Sequence, residues 1–93
     1  MAEAVKSVRV VAFQEDGVWV AHCVEYDICV QANDLAQARR RMTVALTQEA
    51  AITTTKHGTA FAGLDRAPDY FESMYQEAEE SLQTSDFDFR IAA

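Results

Sequence analysis

Val8-Arg9-Val10-Val11-Ala12-Phe13-Gln14-Glu15-Asp16-Gly17-Val18-Trp19-Val20-Ala21-His22-Cys23-Val24 is the stretch from which the fold is read. Its halves, Val8 to Phe13 and Val18 to Val24, are rich in β-branched and aromatic residues, which suit a pleated, partly buried surface. Between them Asp16-Gly17 is the dipeptide that type I′ hairpin turns favour, because both central residues need φ > 0. A two-residue turn there sets Glu15 opposite Val18, Phe13 opposite Val20, Val11 opposite His22 and Val10 opposite Cys23. Val8, Val10, Ala12, Trp19, Ala21 and Cys23 then share one face, and Val11, Phe13, Val18, Val20, His22 and Val24 the other. Both faces are apolar, whereas an antiparallel sheet in a small domain ordinarily leaves one side polar.

Outward from the hairpin, Ile28 to Gln31 is a third short apolar run, set off by Glu25-Tyr26-Asp27, so a three-stranded antiparallel meander is expected. A turn centred on Tyr26 would put Ile28 and Val30 on the second face. The period then changes. Asp34 and Gln37 have capping-box spacing, and Leu35, Ala38, Met42, Ala45, Leu46 and Ala50 recur at helical intervals, which predicts a helix from about Leu35 to Lys56, stopped by a left-handed Gly58. Pro68 suits a first helical turn, and Phe71, Met74, Tyr75, Ala78 and Leu82 form the stripe of a second helix. Asp69 and Glu72 suit the positive end of its dipole, whereas Glu77, Glu79 and Glu80 at the other end do not. Phe87, Phe89 and Ile91 alternate with Asp88 and Arg90 as a terminal strand. The expected order is β-β-β-α-α-β, an α+β layered domain.

Ninety-three residues make about one domain, here 1–93, with a core over 5–57 and an acidic helix and strand over 67–92. Residues 1–63 hold six basic and seven acidic groups (net 6 - 7 = -1) and 64–93 two and eight (net 2 - 8 = -6), giving the net charge of -7. Such acidity opposes the phosphate attraction behind most nucleic-acid binding. No apolar run approaches the ~18 residues of a membrane span, and Met1 to Lys6 lacks the basic start and long apolar stretch of a signal peptide, so no membrane association and a cytoplasmic location are expected. Two helices could cover the two apolar faces or share one. If they share one, a bare patch remains, and homo-oligomerisation or partner binding is the expectation.

Reactive residues are sparse. His22, Cys23, Cys29 and His57 are zinc-ligand types, but they form no CxxC pair, and neighbours His22 and Cys23 point to opposite faces of a strand. Two cysteines are too few for a disulfide framework, and buried thiols with a packed or edge histidine are the simpler reading. No glycine-rich phosphate loop or GxSxG elbow is present. Arg39-Arg40-Arg41 fans over about 200° of helical arc, too wide for one phosphate clamp; a solvated face pairing with Glu77, Glu79 or Glu80 of a neighbouring chain or helix fits better. No catalytic residue, cofactor or metal is expected.

Phe13-Gln14-Glu15-Asp16-Gly17-Val18-Trp19-Val20-Ala21-His22-Cys23-Val24-Glu25-Tyr26, then Val30-Gln31-Ala32-Asn33-Asp34 and a helix opening Leu35-Ala36-Gln37-Ala38, resembles the HicB antitoxin family over roughly residues 5–52. The resemblance implies a truncated RNase H-like module that binds and silences small basic RNA-cleaving toxins of the HicA type. Ala32 stands where the family commonly has glycine, so Asn33 is expected to make the junction in the left-handed region. Many members carry a DNA-binding tail, but 64–93 is acidic, so direct DNA binding is not expected. RNase H-like nucleases hold metal ions with carboxylates on the first strand, first helix and a later strand. Here the first strand, Val5 to Phe13, has none, Glu49 lies far along its helix, and Asp86 and Asp88 read as the polar side of the last strand.

The expected function is a noncatalytic, antitoxin-like interaction domain, with Phe13, Trp19, Val20, Tyr26, Glu77, Glu79 and Glu80 as candidate partner contacts. Large aromatics would anchor a partner and acidic groups would steer a cationic one. The alternative is a structural homo-oligomer without a toxin partner, and a remote one an RNase H-like metal-dependent nuclease.

Overall fold

In the computed structural model, which describes residues 8–92, the Asp16-Gly17 turn takes φ values of 55° and 81°, the left-handed pair that the dipeptide favours. It joins β1 (Arg9–Glu15) to β2 (Val18–Cys23) in the expected register, with Glu15, Phe13, Val11 and Val10 opposite Val18, Val20, His22 and Cys23. Then follow β3 (Cys29–Ala32), α1 (Leu35–His57), α2 (Asp69–Glu77), β4 (Glu80–Leu82) and β5 (Asp88–Ile91). One five-stranded sheet runs β3-β2-β1-β5-β4; its ladders are antiparallel except β1 with β5, which is parallel. The class is α+β, and the sheet is mixed rather than a purely antiparallel meander. Met1 to Lys6 lie outside the described residues.

α1 begins as its capping residues dictate. Asp34 Oδ1 accepts from the Gln37 N–H at 2.8 Å, and Gln37 Oε1 accepts from the Asn33 N–H at 2.8 Å, one residue earlier than a standard capping box. Asn33 is not left-handed; among the described residues, the non-glycine positions with positive φ are Asp16 and Phe61. Two bonds at the junction make a left-handed step there unnecessary. Gly58 ends the helix at φ 80°, its N–H bonding the Thr54 C=O.

The second helix stops at Glu77, short of the expected Leu82. Its last turn carries no basic residue, so Glu77, Glu79 and Glu80 would crowd the negative end of the dipole. The chain turns extended at Ala78 (ψ 134°), and Glu80 to Leu82 pair with β5 instead, which turns Leu82 against the core under α1.

β3 is also displaced from expectation. Its partners are Ala21 with Val30 and His22 with Cys29, one residue off a turn centred on Tyr26. A one-residue slip exchanges faces, so Ile28 and Val30 join the α1 side and Cys29 faces the other way. The loop is held by Cys23 N–H to Ile28 C=O at 2.9 Å and by Asp27 N–H to Asp65 C=O at 2.9 Å.

Each helix takes its own sheet face, so the bare apolar face expected to drive homo-oligomerisation or partner binding is not there, and that argument for association falls away. Under α1, Val10, Ala12, Ala21, Cys23 and Phe89 meet Ala38, Met42 and Leu46 in the main core. Under α2, a small cluster of Val11, Val24 and Tyr75 is flanked by Phe71, Met74 and Ala92. Phe61 is buried in the main core in the left-handed region, φ 65°, a conformation costing ~1–3 kcal/mol for such a residue. Its ring stacks on Tyr26 at 4.4 Å and its N–H bonds Thr53 Oγ1 at 2.6 Å, which hold it there. Among the described residues no helix is long and apolar enough to cross a membrane.

Candidate protein-binding site

α2 is placed by its entry and by its aromatic residues. Ala67 N–H bonds the Val24 C=O at 3.2 Å, tying the approach to the sheet, and Asp69 and Glu72 favour the N-terminal end of the helix dipole. Phe71 then stacks on His22 at 3.7 Å between ring centroids and lies 6.3 Å from Phe13. One turn on, the Tyr75 hydroxyl donates to Asp88, and its ring faces the guanidinium groups of Arg90 at 4.4 Å and Arg9 at 5.5 Å. Burial, then the bond to Asp88 and that group's charge, push the phenol up to about 12.

Charge completes the attachment. Arg9 donates from Nε to Glu25 Oε2 at 2.5 Å and from its backbone N–H to Glu25 Oε1 at 2.8 Å, and its Nη1 reaches Glu72 Oε2 at 3.4 Å. Arg66 also bonds Glu72. One arginine of β1 thus links the loop after β2 to α2.

Beyond this clamp, β1 outlasts its neighbour. Its pairing with β5 ends at Ala12 opposite Ile91, with a bond from Ala92 N–H to Ala12 C=O at 2.8 Å, while β1 runs on to Glu15. α2 overhangs the gap and makes an open groove of about 620 Å³. Phe13, Tyr70, Met74 and Ala92 supply its apolar lining, Gln14, Ser73 and Glu77 its polar one. Tyr70 is 66% exposed although its ring meets Phe71 edge-on at 5.1 Å. An exposed aromatic beside an apolar recess and a carboxylate is suited to an apolar side chain together with a cation.

The candidates read from the sequence divide between the two sides. Phe13 and Glu77 meet in the groove, and exposed Glu79 and Glu80 follow Glu77 in the chain. Trp19 and Tyr26 pack against the main core on the opposite side, and Val20 is buried in the sheet. Tyr70, Ser73 and Ala92 had no individual signal, and Met74 was legible only as a member of the apolar stripe of the second helix.

The reactive side chains are engaged elsewhere. His22 Nε2 lies 2.7 Å from Asp27 Oδ1, and its ring is covered by Phe71. Cys23 sits in the core on the other face, its thiol pushed by burial up to about 11. Burial, then the charges of Asp27 and Glu15, raise the Cys29 thiol, which opposes formation of a thiolate nucleophile. Thr43 Oγ1 bonds Asp86 at 3.4 Å, and Asp88 accepts from Tyr75. Among the described residues no three His, Cys, Asp or Glu side chains gather as a metal-holding group. Arg41 Nη1 donates to the Gln31 C=O at 2.8 Å, which places one member of the arginine run over the outer edge of β3.

No protein-family model, curated protein or solved structure matches the chain.

Proposed function

We propose that this chain is a noncatalytic, cytoplasmic interaction domain of the HicB antitoxin type, which holds a small basic RNA-cleaving toxin of the HicA type. The observation that carries the reading is the groove beside α2, where Phe13, Tyr70 and Met74 lie next to Glu77. Apolar surface beside concentrated negative charge favours a cationic protein both in encounter and in residence. The meander followed by a helix on one face agrees with the truncated RNase H-like arrangement that the resemblance implies.

Affinity capture with the tagged chain from its native cell tests the reading. The expected product is a small basic protein whose recovery falls at least ~tenfold when Glu77, Glu79 and Glu80 are changed to glutamine, given coupling of more than about 1 kcal/mol for close charge pairs. Capture of no basic protein, or capture unaffected by the triple change, contradicts it. A symmetric homo-oligomer is the second reading, favoured by Val44 and Ile52, which stand 54% and 47% exposed on the outer side of α1. Sedimentation of the isolated protein as a stable oligomer, lost on Ile52→Lys, would establish that alternative.

A further inference from the structure

The two helices present opposite chemistry. α1 carries Arg39, Arg40, Arg41 and Lys56 against Glu49 (4 - 1 = +3, histidine neutral), whereas Asp69 to Leu82 carries five carboxylates and no base (0 - 5 = -5). On the outer side of α1, Val44 is 54% exposed in a shallow recess that it shares with Arg40 and Arg41. Spacings of three and four residues set both arginines beside that valine. Arg41 is tied to the Gln31 C=O, which leaves Arg40 to reach outward. An apolar side chain flanked by a cation is the ligand to which Phe13, Tyr70, Met74 and Glu77 of the groove are suited.

We propose that the groove of one chain receives the outer face of α1 from a second copy, with Val44 entering against Phe13, Tyr70 and Met74 and Arg40 meeting Glu77. The occupant is this protein itself, and the inference does not depend on a toxin partner. α1 and α2 cover opposite faces of one sheet, so a chain cannot fill its own groove, and two chains cannot fill each other's at once. Each copy therefore donates on one side and accepts on the other, and the contact is heterologous and repeats as a stack. Charge opposes a symmetric pairing of two α1 faces: antiparallel around Gln48, Val44 would meet Ile52 of the second copy, but Arg40 would meet its Lys56. A single helix seated in a groove belongs with the small, transient contacts of under ~1,200 Å². Dilute chains stay separate with the groove open, and stacking takes hold as concentration rises.

Sedimentation of the full chain over rising concentrations is the test. In low salt the average mass is expected to climb past that of a dimer without levelling off, and to fall back in high salt. Two variants break the contact from its two sides: Arg40→Gln with Val44→Ser on α1, and Glu77→Lys in the groove. All three positions are exposed, and a lysine at 77 suits the negative end of α2, so both variants keep the fold. Each alone is expected to associate ~tenfold more weakly than the unaltered chain. Mixed, they should form a one-to-one dimer and go no further, because the intact groove of the first takes the intact α1 of the second while the other two surfaces are both altered. An average mass independent of concentration, a plateau at a closed dimer, or a mixture no more associated than either variant overturns the stack. Capture of a basic protein by a chain that stays monomeric overturns the stack and leaves the proposed function standing. Stacking of the expected pattern, with no basic protein captured, supports the stack and sinks the proposed partner.

Discussion

The two faces of the sheet are held by different physics. Under α1, twelve buried residues from β1, β2, β3, β5, the helix and the loops form a continuous apolar cluster. Under α2, three buried residues are supplemented by stacked rings, a tyrosine-aspartate bond and an arginine-glutamate lattice. Apolar burial is non-directional and tolerates only tight packing, whereas charge-assisted bonds are directional, sensitive to salt and pH, and compatible with a solvent-open groove. The side that stabilises the fold is thus separate from the side with room for a partner.

The largest effect is expected where packing dominates. Phe89, fully buried between β1 and β4, contributes to the main core, and Phe89→Ala should cost ~3–5 kcal/mol through lost burial and a residual cavity. Urea unfolding should show it as a lowered midpoint with an unchanged slope. A loss below about 1 kcal/mol would mean that the α1 side is not the main source of stability.

A smaller and local effect belongs to Arg9. Arg9→Met keeps much of the aliphatic volume but removes the side-chain bonds to Glu25 and Glu72, and it should cost ~1–2 kcal/mol. Its backbone bond to Glu25 survives, so the loss should appear mainly as faster amide exchange in α2, with α1 little changed. Uniformly faster exchange over both helices would show that the faces are not separable.

The alkaline limb distinguishes the two sides again. Cys23 is raised from 9.0 to about 11 and Tyr75 from 10.0 to about 12, so each stays neutral in the folded chain at pH values where the unfolded chain ionises. For a raised acid the stabilisation is complete below the unfolded pKa and is lost as pH rises to the folded one. Stability should therefore fall between about pH 9 and 12, and Tyr75→Phe should flatten the upper part, from 10 to about 12. An identical profile in that variant would place the loss elsewhere.

What could be read in advance was what local chemistry decides. Asp16-Gly17 set the hairpin register and both apolar faces of β1 and β2, and Asp34, Gln37 and Gly58 bounded α1. Long-range pairing decided the rest. Leu82 fits a helical stripe as well as a strand, and it took the latter because β5 offered an edge where a helix ending in acids offered none. Ile28 and Val30 changed face through a single-residue slip in a loop whose Asp27 N–H bonds the Asp65 C=O, far along the chain. The groove depends on where β5 stops against β1 and on how far α2 overhangs. Phe13 and Glu77 were therefore readable as individual contacts, but their meeting was not.

Chemical-shift mapping of the labelled domain with a short peptide of lysine and valine residues tests most directly whether the α2 side is the working face. Amide shifts are expected to concentrate at Phe13, Gln14, Tyr70, Met74, Glu77 and Ala92, with Val44 and Ile52 on the far side unmoved. Shifts centred on the outer surface of α1, or spread evenly over the acidic residues, would contradict the account.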